Sequence, residues 1–339
     1  MILVTGGTGL VGSHLLYKLL DKGEKVRALC RANSCKESVK QVFQFYSAEK
    51  ANLLFDQIEW FEGDLLDYFS LLDALENVRQ VYHCAAMVSF KPSDADEMFT
   101  TNTEGTANLV TTSIERGIEK FCYVSSIATL GAAVNGHHID ESTFWQNDDN
   151  HSVYSQSKFQ AEMEVWRGTK EGLKAIVVNP SVIIGPGNPD RSSGQLFKSV
   201  ANGMKFYTPG STGFVDVRDV TDAMIALTNS EACNERFVVS SENLNYEQFL
   251  TKVATAYHTT PPSMRAGRII IGAGWRLERL RYLITRKEPR ITKETARSSQ
   301  NRSFYSSNKL KELLQWQFIP IDQSVTETVA FFIQNKTVV

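Results

Sequence analysis

Three tyrosines in this chain stand four residues ahead of a lysine: Tyr46 with Lys50, Tyr154 with Lys158 and Tyr305 with Lys309. On a helix that spacing puts phenol and ammonium on one face, where the cation favours the ionised phenol and prepares it to exchange a proton with a bound ligand. With 11 tyrosines present, chance alone yields such pairs, so the spacing needs a second signal. The start of the chain provides one. Residues 1–4 form a short apolar run, and Thr5-Gly6-Gly7-Thr8-Gly9-Leu10-Val11-Gly12 follows it and opens an amphipathic stretch carrying Leu15, Leu16, Leu19 and Leu20. A diphosphate at a helix N-terminus needs backbone N–H groups at close range, and glycines at 6, 9 and 12 remove the side chains that would hold it away. Strand, glycine turn and helix in that order predict a bound dinucleotide.

Apolar runs and amphipathic stretches alternate from there on. Strands are expected at 2–5, 25–30, 58–62, 80–84, 120–125 and 175–179, and helices at 10–22, 68–76, 96–116 and 154–169. Strands apolar on both faces must be covered from both sides. That requirement predicts an α/β fold, a Rossmann-like doubly wound parallel sheet with right-handed crossovers. Ligands of such sheets lie at the carboxyl ends of the strands. Beyond Pro180 the rhythm loosens, with a helix at 195–202, a strand near 214–217, a helix at 219–228, a strand at 236–239, and helices around 246–257, 268–284, 307–314 and 325–334. The reading is a dinucleotide-binding domain over 1–180 with a return segment at about 213–240. A smaller, mainly helical substrate lid takes 181–212 and 241–339.

Topology separates the three tyrosines. Tyr154 follows the fifth strand, whose end carries Ser125-Ser126. Tyr46 follows the second strand, on the adenosine side of a dinucleotide, and Tyr305 has no serine-bearing strand ahead of it. Tyr154 with Lys158 is therefore the pair that faces a nicotinamide. Asn102, in Asn102-Thr103-Glu104-Gly105-Thr106, falls inside the helix before the fifth strand, where an amide costs some helix propensity. It is either a polar residue on a helix face or the holder of a water or backbone carbonyl that continues a proton path from Lys158.

Taken together, the glycine turn, Gly63-Asp64-Leu65, His83-Cys84-Ala85-Ala86, Asn102-x-x-Gly105, Tyr123-Val124-Ser125-Ser126 and Tyr154-x-x-x-Lys158 resemble the extended short-chain dehydrogenase/reductase superfamily, of the NAD-dependent epimerase/dehydratase type. Asn179-Pro180-Ser181-x-x-x-Gly185-Pro186 and Phe214-Val215-Asp216-Val217-Arg218-Asp219-Val220 look most like its dihydroflavonol-reductase and 3β-hydroxysteroid-dehydrogenase-like branch. The resemblance implies Tyr154 as general acid/base, Lys158 on the nicotinamide ribose and lowering the tyrosine pKa, and Ser126 on the substrate oxygen, with Ser125 as the alternative. It places cofactor contacts at Thr5 to Gly12, Arg31, Asp64, Leu65, Ala85, Ala86, Lys158 and Pro180, and leaves His83 structural. Arg31 stands where an NAD enzyme offers an acid to the adenosine ribose. That favours a 2′-phosphate and hence NADP, with NAD as the second choice.

The same machinery serves reductases and nucleotide-sugar epimerases or dehydratases. Epimerases typically carry an arginine for a second diphosphate shortly before the Phe214 segment, and the matching residue here is Thr212, although Arg218 or a basic block could substitute. The reading preferred is an NAD(P)-dependent oxidoreductase acting on a carbonyl or secondary alcohol in a pocket lined by Met87, Phe90 and residues after Ser181. A sugar-nucleotide epimerase is the alternative, and a cofactor-sensing regulator comes third because such proteins usually lose the tyrosine or lysine.

A net charge of −2 over 339 residues gives no reason to expect nucleic acid as a partner. The stretch 265–302 is locally basic, with eleven Arg or Lys against Glu278, Glu288 and Glu294, and reads as a solvated helical face more readily than as an anion or membrane surface. Five cysteines without a C-x-x-C pair argue against a disulfide framework or a metal site, and with no apolar leader ahead of the first strand they lead to an expected cytoplasmic location. The resemblance also implies that a homodimer through the helices bearing Asn102 and Tyr154 is possible, with the oligomeric state left open.

Overall fold

The computed structural model describes residues 1–89, 91–133, 138–146, 151–285 and 293–335. Twelve strands run in chain order as β1 Ile2–Thr5, β2 Val26–Cys30, β3 Glu59–Glu62, β4 Gln80–His83, β5 Lys120–Val124, β6 Ala175–Pro180, β7 Val182–Ile184, β8 Phe206–Tyr207, β9 Ser211–Asp216, β10 Glu235–Val239, β11 Glu242–Asn245 and β12 Met264–Arg265 among the described residues. The α-helices are α1 Leu10–Asp21, α2 Glu37–Tyr46, α3 Ala51–Asp56, α4 Tyr68–Ala74, α5 Ala95–Glu115, α6 Val153–Lys170, α7 Gly194–Ala201, α8 Val217–Thr228, α9 Tyr246–Ala256, α10 Arg268–Thr285, α11 Lys293–Ser298, α12 Asn308–Leu314 and α13 Ile321–Gln334.

Seven strands make one parallel sheet in the order β10-β6-β5-β4-β1-β2-β3. The chain leaves β1 in one direction and returns through β4 to run in the other, so the crevice where ligands of open sheets bind opens beyond the ends of β1 and β4. Thr5 and His83, the last residues of those strands, lie side by side there. Strands β1, β4 and β6 are buried along their whole length, as helices on both faces demand. One face packs Leu15, Leu16, Leu19 and Leu20 of α1 with Phe43 of α2 and Met224 of α8. The other packs Leu71 of α4, Leu109 and Val110 of α5 and Ala161 and Val165 of α6.

Three features depart from the sequence reading. Helices α2 and α3 fill the connection from β2 to β3, where no element was expected; Val39, Val42 and Phe43 are the buried face of α2. Of the anticipated return segment, only β10 enters the main sheet, beside β6, whereas β9 pairs with β7 and β11 in a separate three-stranded sheet. The region expected as a lid thus carries strands as well as helices. Its own core gathers Ile184, Phe197, Phe214, Phe249, Val325 and Phe332, with Phe214 and Phe249 stacked at 4.2 Å between centroids. Burying side chains of this size contributes about 1.5–3 kcal/mol each. Among the described residues no helix is long and apolar enough to cross a membrane.

Candidate active site

The glycine turn is shaped by close contacts that leave no room for side chains. Gly6 sits at φ +68, and a Cβ there would meet the Ala85 nitrogen at 2.6 Å; one on Gly12 would meet the Gly6 carbonyl oxygen at 2.1 Å. Gly9 is the N-cap of α1 with extended backbone and no side-chain cap. The first-turn N–H groups of α1 therefore remain donors for an acceptor outside the helix. A pyrophosphate fits that cradle.

At the strand ends beside it, the Thr5 hydroxyl lies 2.7 Å from His83 Nδ1 and accepts the Ala85 N–H at 3.2 Å. His83 Nε2 shares a 2.9 Å hydrogen bond with the Thr106 hydroxyl, which itself donates to the Asn102 carbonyl at 2.6 Å. Burial, with the Lys158 charge adding to it, pulls His83 down to about 3. The ring is a neutral strut joining β1, β4 and α5. Asn102 accepts the Met87 N–H at 2.7 Å through Oδ1, and through Nδ2 donates to the Met87 carbonyl at 2.9 Å and to the Ser157 hydroxyl at 3.0 Å. Of the two readings left open for Asn102, its contacts are those of a residue holding a backbone carbonyl, and no hydrogen bond joins it to Lys158 among the described residues.

Ser152 caps α6 by accepting the Ser155 N–H at 3.1 Å, which sets Tyr154 in the first turn and Lys158 one turn later. The Tyr154 phenol is half-buried on the side of the Ser126 hydroxyl. Burial pushes it above the ordinary phenol value and the neighbouring Ser126 hydroxyl offsets part of that. The Lys158 ammonium, 1% exposed, donates to the Tyr123 hydroxyl at 2.6 Å and the Val124 carbonyl at 2.9 Å. Burial lowers it to about 7 against the raising field of Glu162. The ammonium donates to β5, and the lowering influence on Tyr154 comes from Ser126. Ser126 accepts the Ala128 N–H at 3.1 Å, whereas Ser125 is buried and donates to Glu162 at 2.5 Å. Between the two serines, Ser126 is the one beside Tyr154.

The other tyrosine–lysine pairs are separated from this cluster by their partners. Tyr46 is 2.7 Å from His14 Nδ1 and pushed far up by burial, with Lys50 paired to Asp21 at 2.8 Å. Tyr305 is pushed up to about 12 by burial, and Lys309 pairs with Glu235 at 2.8 Å.

Along the rest of the cleft, Arg31 is exposed just past β2 and has no ion pair among the described residues. Asp64 folds its own turn by accepting the Leu66 N–H at 2.9 Å, and Leu65 is buried against Gly105, where a Cβ would lie 2.9 Å from the Leu65 Cβ. Ala86 is exposed, Met87 half-buried and Pro180 buried at the end of β6; Phe90 lies outside the described residues. Arg218, weighed as a substitute diphosphate ligand, is held by both oxygens of Asp216 at 2.9 and 2.8 Å and by Glu327 at 2.5 Å. Its charge is spent within the fold. A cavity of about 310 Å³ beside the start of β9 is lined by Tyr207, Ser211, Asn245, Glu247, Arg265 and Arg302, and neither arginine has an ion pair among the described residues.

The sequence reading passed over Glu162, Arg236 and Ser157, and quoted Tyr123 only as part of a motif without giving it a role. Glu162 was detectable in principle, four residues beyond Lys158 on the same helical face.

Against known proteins, the profile of the NAD dependent epimerase/dehydratase family matches residues 2–240. The chain belongs to that family. Its relatives include a Synechocystis sp. protein provisionally described as a dihydroflavonol 4-reductase, 26% identical over 97% of this chain and 93% of that protein. Sterol demethylase protein B of Methylococcus capsulatus is 32% identical over 73% of this chain and 72% of its own length. The crystal structure of a Thermotoga maritima UDP-glucose 4-epimerase with UDP-glucose superposes with a TM-score of 0.78 at 21% identity, covering 99% of each chain, which establishes the shared fold. Family membership accommodates reductases and epimerases alike.

Proposed function

We propose that this family member is an oxidoreductase that passes a hydride between NADP(H) and a carbonyl or secondary alcohol, with NAD(H) as the second choice of cofactor. The observation that carries the proposal is the Tyr154 phenol beside the Ser126 hydroxyl at the end of β5, with Lys158 one turn along α6. Reducing a carbonyl requires a hydride at carbon and a proton at oxygen. A nicotinamide dinucleotide supplies the hydride chemistry when bound. The glycine turn would hold its pyrophosphate, Arg31 a 2′-phosphate, Asp64 and Leu65 the adenosine end, Ala85, Ala86 and Pro180 the nicotinamide end, and Lys158 the ribose. Ser126 holds the substrate oxygen and Tyr154 gives it a proton, or takes one in the reverse direction. Asn102 keeps Met87 in place at the edge of the pocket. Replacing Tyr154 by Phe should cut turnover about 10²–10⁴-fold and leave NADPH affinity near that of the unaltered protein. Unchanged turnover across a panel of ketones and aldehydes would refute the assignment.

A second reading, a sugar-nucleotide epimerase, is favoured by the cavity holding the unpaired Arg265 and Arg302. The neutralised Arg218 and Thr212 weigh the other way. Melting curves with NADPH or NAD, with and without UDP-glucose, separate the two. A further rise with UDP-glucose that Arg302→Ala removes would favour the epimerase, and a response to cofactor alone favours the reductase.

A further inference from the structure

Glu162 is the buried ionisable group that the chemistry above leaves unused. Its side chain is 1% exposed, yet every oxygen is engaged. Oε2 accepts from the Ser125 hydroxyl at 2.5 Å, the Thr129 hydroxyl at 2.8 Å and Asn179 Nδ2 at 3.0 Å. Oε1 accepts from Trp166 Nε1 at 3.1 Å and lies 3.6 Å from Arg236 Nη1. A carboxylate carried so far from water is costly, and as a packing element alone an apolar side chain of similar volume would serve as well or better.

Its partners have a common place. Ser125, Thr129 and Asn179 come from the end of β5, the turn after it and the end of β6, and they bracket Ser126; Asn179 also donates to the Ser126 carbonyl at 3.2 Å. On its own helix Glu162 lies one turn beyond Lys158. Around that ammonium stand the Tyr123 hydroxyl and Val124 carbonyl of β5 and the His83 imidazole at the end of β4 with the Cys84 thiol after it; Tyr154 lies one turn earlier on α6. His83 is neutral, and burial holds Cys84 and Tyr154 in their protonated forms. Among the described residues Glu162 is the carboxylate that acts on Lys158, and Arg236 of β10 lies against its Oε1.

We propose that Glu162 is a positioning residue of the site, a single carboxylate that pins the turn carrying Ser126 and keeps the Lys158 ammonium charged. The inference builds on the roles given above to Ser126, Tyr154 and Lys158. One carboxylate thereby couples the geometry of the oxygen-binding hydroxyl to the charge of the lysine, and the downward pull of burial on Lys158 gives that coupling a purpose.

The test follows the ionisation of Lys158 by the ¹³Cε shift of labelled full-length protein, assigned with Lys158→Arg, so it needs no substrate. Glu162→Gln should lower the midpoint of Lys158 at least tenfold in ionisation constant and depress turnover at neutral pH, while Glu162→Asp restores both in part. Arg236→Gln, which keeps the carboxylate and removes its counter-charge, should move the midpoint the opposite way and stands in if Glu162→Gln does not fold. A folded Glu162→Gln protein with an unshifted Lys158, or an Arg236→Gln protein that shifts it downward or not at all, overturns the proposal. Retained turnover in Tyr154→Phe would instead strike the oxidoreductase reading and leave the titration result standing.

Discussion

At the scale of single residues, the site is a set of side chains whose hydrogen-bonding capacity is divided between fold and chemistry. Ser125 and Ser126 are neighbours in sequence and opposites in role: one is consumed by Glu162, the other faces Tyr154. Asn102 belongs to the fold side of that division. Truncating it to Ala strips both the N–H and the carbonyl of Met87 of their partner, and unsatisfied buried groups cost about 1–3 kcal/mol each. The expected result is a lower melting temperature with a loss of turnover, and a melting curve matching the unaltered protein would contradict it. Tyr154 was legible in the sequence because only one of three tyrosine–lysine pairs follows a strand ending in serine. Glu162 was not, because a glutamate on an amphipathic helix reads as solvated until the strand ends it touches are in view. The fate of Arg218 was hidden for the same reason, since Glu327 lies far along the chain.

At the scale of elements, the first strand, turn and helix were readable almost to the residue, because glycine spacing, apolar runs and a single amphipathic face agree there. Helix α2 was missed although Val39, Val42 and Phe43 have helical spacing, since its polar flanks resemble a loop and Tyr46 drew attention as chemistry. The sheet of β8 and β12 was unreadable from periodicity, because strands that short lack enough residues to set a period, whereas β9 was expected near 214–217 without its partners β7 and β11. The α1 cradle can be tested without harming the fold. A Cβ on Gly9 would lie 3.2 Å from the Gly6 carbonyl, a tight contact at an exposed residue with ordinary backbone angles, unlike the overlap at Gly12. Gly9→Ala should fold normally yet weaken NADPH binding by at least tenfold, about 1.4 kcal/mol. Unaltered affinity by fluorescence titration would disprove the assignment of the cradle.

At the scale of the whole molecule, buried ionisable groups link stability to pH. His14, bound to Tyr46 and to the Pro186 carbonyl, is lowered to about 4, and His83 to about 3, both by burial. On unfolding each regains an ordinary imidazole, so between the unfolded value near 6.5 and the folded values the unfolded chain binds more protons. That makes stability fall as pH drops from about 6.5 toward 4. Asp219, raised to about 7 by burial, works in the opposite sense over the same window, since the folded chain keeps its proton while the unfolded chain loses it. Glu141, also raised by burial, acts with Asp219 but its shift is the smaller, so the two imidazoles outweigh the carboxyls. The urea midpoint is expected to decline on acidification through that window, and a flat or rising midpoint would rule out the balance. The seven-stranded sheet has a separate consequence for autonomy. Its outer strand β10 arrives only after the chain has built β7 through β9, and it covers the full length of β6. A fragment ending at residue 180 would therefore present β6 as a bare, apolar margin with unpaired backbone groups, open to association with its own kind. The half of the chain that carries the glycine turn is one unit in space but not in sequence: it borrows its last rung from beyond β9.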